Sequence, residues 1–135
     1  MTGSEALKNW LRGCDCVERV DMDTDRLEAN AESLGLYKQA QRETTAFLDG
    51  SAEVTEYYYF LARWPTTLES ERVNSQTIMS NLESWIENKN LDNELPEVPG
   101  VERVFVANGF YMLEAESDDA VYQVSIGITY LKERK

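Results

Sequence analysis

Residues Val121 to Leu131 alternate without a break. Tyr122, Val124, Ile126, Ile128 and Tyr130 point one way, and Gln123, Ser125, Gly127 and Thr129 the other. A period of two over this length is that of an extended strand, whose successive side chains stand on opposite faces of a sheet. One face of that strand needs an apolar cover. The cover is legible upstream, where Ile78, Leu82, Trp85, Ile86 and Lys89 fall at i, i+4, i+7, i+8 and i+11 with Met79 beside them. That spacing gathers the apolar groups into one stripe of an α-helix. The spacing predicts a helix over about 74–89, with Asn74 as its N-cap candidate and a polar connection, Thr66 to Arg72, before it. A helix stripe and a one-sided strand together dictate helix packed on sheet.

The other elements follow from shorter signals. Ser4, the pair Leu7 and Leu11, and Gly13 predict a short first helix over 4–12, ended by Gly13 in the left-handed conformation. Val17 to Val20, Leu34 to Gln39 and Arg42 to Leu48 read as short strands. Asp49-Gly50-Ser51 supplies a turn, because Gly50 tolerates positive φ and the Asp49 side chain can bond the backbone beyond it. Val54 to Arg63 is a strand that ends at Trp64-Pro65, since proline cannot donate to a ladder. Val101 to Ala107 and Phe110 to Ala115 read as two strands joined at Asn108-Gly109, a dipeptide that favours a tight hairpin. The sum is one α+β domain over 1–135. It has a mainly antiparallel sheet, one principal helix packed on one face, and a short N-terminal helix.

Several functions are excluded or made remote by residue content. Among 135 residues there is no histidine, which removes the commonest general base and metal ligand and every Ser-His or Cys-His nucleophile system. The net charge of −12 argues against a protein that grips phosphates. No phosphate-loop, dinucleotide-loop or nucleophile-elbow pattern occurs. Neither a signal-peptide core nor a run of about 20 apolar residues is present. Cys14 and Cys16 are too close for an unstrained bridge, so both read as free thiols of a protein made in a reducing compartment.

Two constellations remain. The segment Asp15 to Glu32 holds seven carboxylates. Asp21, Asp23, Asp25 and Glu32 occupy positions one, three, five and twelve of a calcium loop, but Arg26 stands where the sharp turn needs glycine. A solvated acidic loop is the plainer reading, and a small acidic cation-binding module is the functional one. The run Tyr57-Tyr58-Tyr59-Phe60-Leu61 places aromatics on both faces of one strand. Tyr57 and Tyr59 share a face, and Tyr58 and Phe60 share the other. Such an excess reads as an interface, because rigid rings give contact area at low entropy cost; a strand covered on both sides reads equally well.

An ordered set of pieces resembles a known family. It comprises Phe47-Leu48-Asp49-Gly50-Ser51, the aromatic strand ending at Ala62-Arg63, Asn74-Ser75, Leu82-Glu83-Ser84-Trp85-Ile86-Glu87 and Leu95-Pro96-Glu97-Val98-Pro99. Gly109-Phe110-Tyr111, Ala120-Val121-Tyr122-Gln123-Val124 and Thr129-Tyr130 complete it. Leu7, Trp10-Leu11 and Leu36-Tyr37 extend the match upstream. In order and spacing these pieces are similar to the minor capsid or tail-terminator (tail-completion, head–tail joining) proteins of long-tailed bacteriophages. Trp64-Pro65 departs from the more polar residues of that family, and Asp15 to Glu32 follows no pattern of it.

The resemblance implies a structural virion protein rather than an enzyme. It implies a homo-oligomeric ring, usually hexameric, that caps the tail-tube protein and offers a surface to the head-connector or stopper protein. The place is the head–tail junction of the virion, reached from the host cytoplasm during assembly. DNA passes through the lumen without being specifically bound, and no cofactor, metal or membrane is involved. Subunit or tube contacts are expected at Tyr57, Tyr59 and Arg63, with Asp49, Gly50 and Ser51 as a demanding turn near one of them. Leu82, Trp85, Ile86, Val124, Ile126 and Ile128 are expected in the core. A head–tail adaptor, stopper or minor capsid protein of the same particle is the neighbouring role.

Overall fold

A computed structural model describes residues 3–14, 22–24, 33–115 and 118–133, with the backbone alone for 22–24. In chain order the elements are α1 (Gly3–Leu11), β1 (Met22–Thr24), β2 (Ser33–Ala46), β3 (Ala52–Pro65), α2 (Glu69–Leu91), β4 (Val101–Ala115) and β5 (Asp119–Lys132). The five strands form one sheet in the order β1-β2-β3-β5-β4. Every pairing is antiparallel except that of β1 with β2. The fold is α+β, as the sequence pattern predicts. No helix among the described residues is long and apolar enough to cross a membrane.

The two faces of the sheet are treated differently. Tyr58, Phe60, Ala62 and Trp64 of β3 meet Tyr122, Val124, Ile126 and Ile128 of β5 and Leu34 and Leu36 of β2 on one face. There Leu7 and Leu11 of α1 and Met79, Leu82 and Ile86 of α2 seal them into one core. Each such apolar side chain contributes about 1.5–3 kcal/mol when fully buried. Tyr58 sits there with its hydroxyl beneath the start of α1, and burial pushes its pKa up to about 12. Trp85 is only half-buried, tilted against Trp10 at 4.7 Å between centroids with Lys89 over its ring. It bridges the two helices at the rim of the core. The opposite face of the sheet carries neither helix.

Four local expectations are corrected. α2 begins at Glu69, not Asn74, so the stretch read as connection is partly its first turn. Leu68 is the N-cap, and the Glu71 carboxylate accepts the Leu68 N–H at 2.9 Å, the reciprocal half of a capping box. β2 is one strand rather than two; its register slips between Lys38 and Arg42, a bulge that hides the continuity. Asn108-Gly109 does not turn the chain. Neither residue has positive φ, which a two-residue hairpin requires. β4 instead runs on through a bulge, paired to β5 along its length, and the Phe110 N–H is taken by the Glu83 carboxylate of α2 at 2.6 Å. Gly13 closes α1 without positive φ, its N–H bonded to the Trp10 carbonyl at 3.1 Å.

Cys14 is buried at the end of α1 and disulfide-bonded, contrary to the free-thiol expectation; the chain's other cysteine, Cys16, lies outside the described residues. The expected strand Val17 to Val20 and most of the acidic segment also lie outside them.

Candidate functional site: the open face of the sheet

The face away from the helices is built by odd-numbered residues of β3 and their cross-strand neighbours. Tyr57 stands opposite Gly127, Tyr59 opposite Ser125 and Tyr37, Leu61 opposite Gln123 and Gly35, and Arg63 opposite Val121 and Ser33. Tyr57, Tyr59, Leu61 and Arg63 are all partly buried, whereas Tyr58 and Phe60 are buried in the core. The period-two division of the aromatic run is therefore real.

Tyr57 is held from two sides. Its hydroxyl donates to the Glu43 carboxylate at 2.8 Å, and that bond to the anion raises its pKa. Its ring meets Phe105 of β4 edge-on, 6.3 Å between centroids and 90° between planes. Arg103 lies over the other aromatic partner, 5.5 Å from the Phe105 centroid. Phe105 reaches this position because Gly127 has no side chain; a Cβ there would fall 2.3 Å from the ring's Cζ. Below this group Thr55 and Thr129 share a buried hydroxyl–hydroxyl bond of 2.8 Å. Farther along, Gln123 donates to the Tyr111 hydroxyl at 2.7 Å. The whole face is a shallow aromatic and hydroxyl surface, pre-organised by short-range bonds.

The six residues named from sequence are not brought together. Arg63 lies near the far end of β3, its guanidinium 3.0 Å from Asp119 and 4.0 Å from Glu114. Asp49, Gly50 and Ser51 form the β2–β3 turn at the opposite end. Gly50 has φ of 92°, the Phe47 N–H bonds the Ser51 carbonyl at 2.9 Å, and the Ser51 N–H bonds the Asp49 carboxylate at 2.9 Å. The Ser51 hydroxyl donates to the same carboxylate, and these bonds hold the Asp49 pKa below the usual range. At ~3.3 Å per residue, the turn and Arg63 are about 40 Å apart. Sequence reasoning missed Phe105, Arg103 and Tyr111, which the β4 bulges bring onto the face; it also missed that Phe47 and Leu48 stand exposed at the turn.

On the helix side, where the sheet outruns the helices, a broad concavity of about 1270 Å³ is lined by Val54, Val101 and Tyr130 with Arg42, Glu56 and Lys132. Burial drives the Glu56 pKa upward. Hydrogen bonds from Lys38 and Tyr130 and the charges of Lys38 and Arg42 outweigh it, so the group stays below the usual carboxylate range. The walls are of mixed charge and match neither a carboxylate pair for glycoside chemistry nor a nucleophile and base. No cluster of three or more metal-ligating side chains occurs among the described residues. Of the candidate cation segment only Met22–Thr24 is described, as strand β1 beside Leu34, Gly35 and Leu36.

Comparison with protein-family models and with curated proteins finds no match to this chain.

Proposed function

We propose that the protein is a phage tail terminator: a structural virion protein that forms a homo-oligomeric ring on the head-proximal end of the tail tube and joins it to the head connector. The observation that carries this reading is the unequal treatment of the sheet. One face is sealed by two helices, while the other presents Tyr57, Tyr59, Leu61 and Phe105 partly buried, with Tyr57 fixed by its bond to Glu43 and its edge-on contact with Phe105. Rings pre-ordered on a sheet face cost little further entropy on contact, which suits assembly.

The ordered resemblance to the tail-terminator family supports the same reading. Charge is compatible with it. Protomers carrying −12 each repel a polyanion, so DNA would slide through a lumen rather than stick to it. The purified protein is expected to show no saturable duplex-DNA binding at physiological salt.

The decisive experiment is assembly of the tail-tube protein with and without this chain. Tubes of limited length, capped at one end by a ring, are expected. Uncontrolled tube growth in its presence would remove the terminator role. Binding to the connector without any effect on the tube would point to the adaptor or stopper role instead.

A further inference from the structure

On the helix side, beyond the start of α1, the concavity of about 1270 Å³ is used neither by the core nor by the open face. Its floor is Val54, which is buried, with Ala52 and Tyr130 beside it. Val98, Pro99 and Val101 make the wall opposite β2. From Ala52 to Glu56 is four steps of β3, about 13 Å, and from β2 to β4 is three strand spacings, about 14 Å. Such a footprint takes about four residues of extended chain.

Strand alternation sorts the charges around it. Residues opposite even-numbered positions of β3 share the helix side. Arg42 opposite Glu56, Tyr130 opposite Val54 and Lys132 opposite Ala52 therefore face the concavity. Glu102 also borders it, but its carboxyl is hydrogen-bonded to that of Glu53, an odd-numbered residue of the open face. Glu56 is already engaged, accepting from the Tyr130 hydroxyl at 2.7 Å and pairing with Lys38. Arg42 is bonded to the same Tyr130 hydroxyl, which leaves most of its guanidinium N–H groups to give. Lys132 makes no ion pair among the described residues. Glu133 stands exposed at the rim, one residue past β5. Lys38, Arg42 and Lys132 against Glu56 and Glu133 make a locally positive hollow in a chain whose net charge is −12.

We propose that this concavity seats a short extended segment of a partner protein, in which apolar side chains flank one carboxylate. The carboxylate takes N–H bonds from Arg42 and Lys132. The apolar side chains lie against Ala52, Val98, Val101 and the Tyr130 ring. Charge selects this occupant. A cationic segment would meet Arg42 and Lys132, and a polyanion would be repelled by the rest of the chain. A single carboxylate gains charge-assisted bonds locally, while distant charges are screened. Size selects a segment over a metabolite, because the hollow is wider than the roughly 300–1,000 Å³ of small-molecule pockets and too open to enclose one. The concavity and the open face lie on opposite sides of the sheet, so this seat stands or falls apart from the ring reading.

The test is titration of the full chain, labelled with nitrogen-15 and followed by NMR. The probes are three capped tetrapeptides: Leu-Glu-Val-Leu and its versions with Gln or Lys in place of Glu. The acidic peptide is expected to shift the amides of Val54, Val101 and Tyr130 saturably. The Gln peptide should bind about tenfold more weakly, the loss of a charge-assisted bond, and the Lys peptide not at all. Lys132→Gln, and Arg42→Gln together with Lys132→Gln, should weaken the acidic peptide toward the level of the Gln peptide. Arg12→Gln removes a charge at the far end of α1 and should not. All three side chains are exposed, so the variants should keep the parent melting temperature, which is measured first.

Equal binding of the acidic and Gln peptides overturns the proposal. So does the absence of a saturable shift, shifts confined to the open face, or an undiminished affinity in the double variant. Octanoate carries a carboxylate on an apolar stem without a peptide backbone. If it binds this hollow as tightly as the acidic peptide, the assignment to a protein segment falls.

Discussion

Replacing Gly127 with alanine puts a methyl group where the ring of Phe105 lies. The new Cβ would fall 2.3 Å from Cζ and 2.7 and 2.8 Å from the two Cε atoms, so the ring must move. It is held by Tyr57 edge-on and by Arg103 above it, and displacement weakens both contacts. The edge-to-face pair is worth about 0.5–1.5 kcal/mol, and an extra methyl in a filled space costs about 1–3 kcal/mol. Alanine recovers about 0.4–1 kcal/mol by restricting the unfolded chain. The net expectation is a loss of about 1–2 kcal/mol, a fall in Tm of about 3–8 °C for a chain of this size.

Phe105→Ala alone removes a partly buried ring, at about 1–2 kcal/mol. In the double variant the methyl enters the vacated space, so the total loss falls slightly below that of Phe105→Ala. The two effects are therefore coupled by about 2 kcal/mol in a double-mutant cycle. Urea denaturation of the four proteins, followed by circular dichroism, measures this directly. A neutral Gly127→Ala variant, or additive losses, would refute the account of how Phe105 and Tyr57 are placed on the open face.

Three further outcomes follow from the geometry. Thr129→Val leaves the buried Thr55 hydroxyl without its 2.8 Å partner and should cost about 1–2 kcal/mol, whereas Thr55→Val with Thr129→Val recovers most of it; denaturation of the single and double variants decides. Tyr122→Phe removes a buried hydroxyl that has no hydrogen-bond partner among the described residues, so stability should stay level or rise by up to about 1 kcal/mol, and a clear loss in Tm would contradict this. The Glu56 pKa is lower folded than unfolded, so its contribution is complete above the unfolded value and fades as pH falls through the folded one. Glu56→Gln should therefore flatten the fall in Tm below about pH 4.5, and a parallel acid limb in the variant would sink that assignment.

What the sequence reveals depends on whether a signal is local. Val121 to Leu131 and the stripe from Ile78 to Ile86 were legible because each buried residue repeats at the period of its own element. The first turn of α2 was not, since Glu69, Ser70, Glu71 and Arg72 face solvent and carry no apolar period; its start is set by Glu71 reaching back to Leu68. At Asn108-Gly109 a local hairpin preference lost to fourteen residues of β5 and to the Glu83 carboxylate, both distant in sequence. The candidate site divides the same way. The facing of Tyr57 and Tyr59 and the turn at Asp49-Gly50-Ser51 could be read from spacing alone. Phe105, Arg103 and Tyr111 could not, because bulges in β4 decide which residues share a face with β5.

The edges of the sheet suggest what kind of contact this chain is built to make. An open strand edge pairs with any extended segment, and proteins blunt it to avoid aggregation. Along β4, the Asn90 side chain accepts the Val104 N–H at 3.0 Å and Glu83 accepts that of Phe110 at 2.6 Å, so α2 occupies the strand's hydrogen-bonding edge with its own polar groups. On the other side β1 covers the start of β2 at 34–36, and beyond it the bulge between Lys38 and Arg42 interrupts the strand, with Lys38 turned to Glu56. Backbone pairing is thus opposed on both sides, while the side chains of Phe47, Leu48, Tyr111, Met112 and Leu113 are left exposed. Backbone hydrogen bonds carry little sequence information, and side-chain fit carries much. A protein that closes the first route and leaves the second open favours selective contact with matching surfaces, which is what the proposed assembly of fixed size would require.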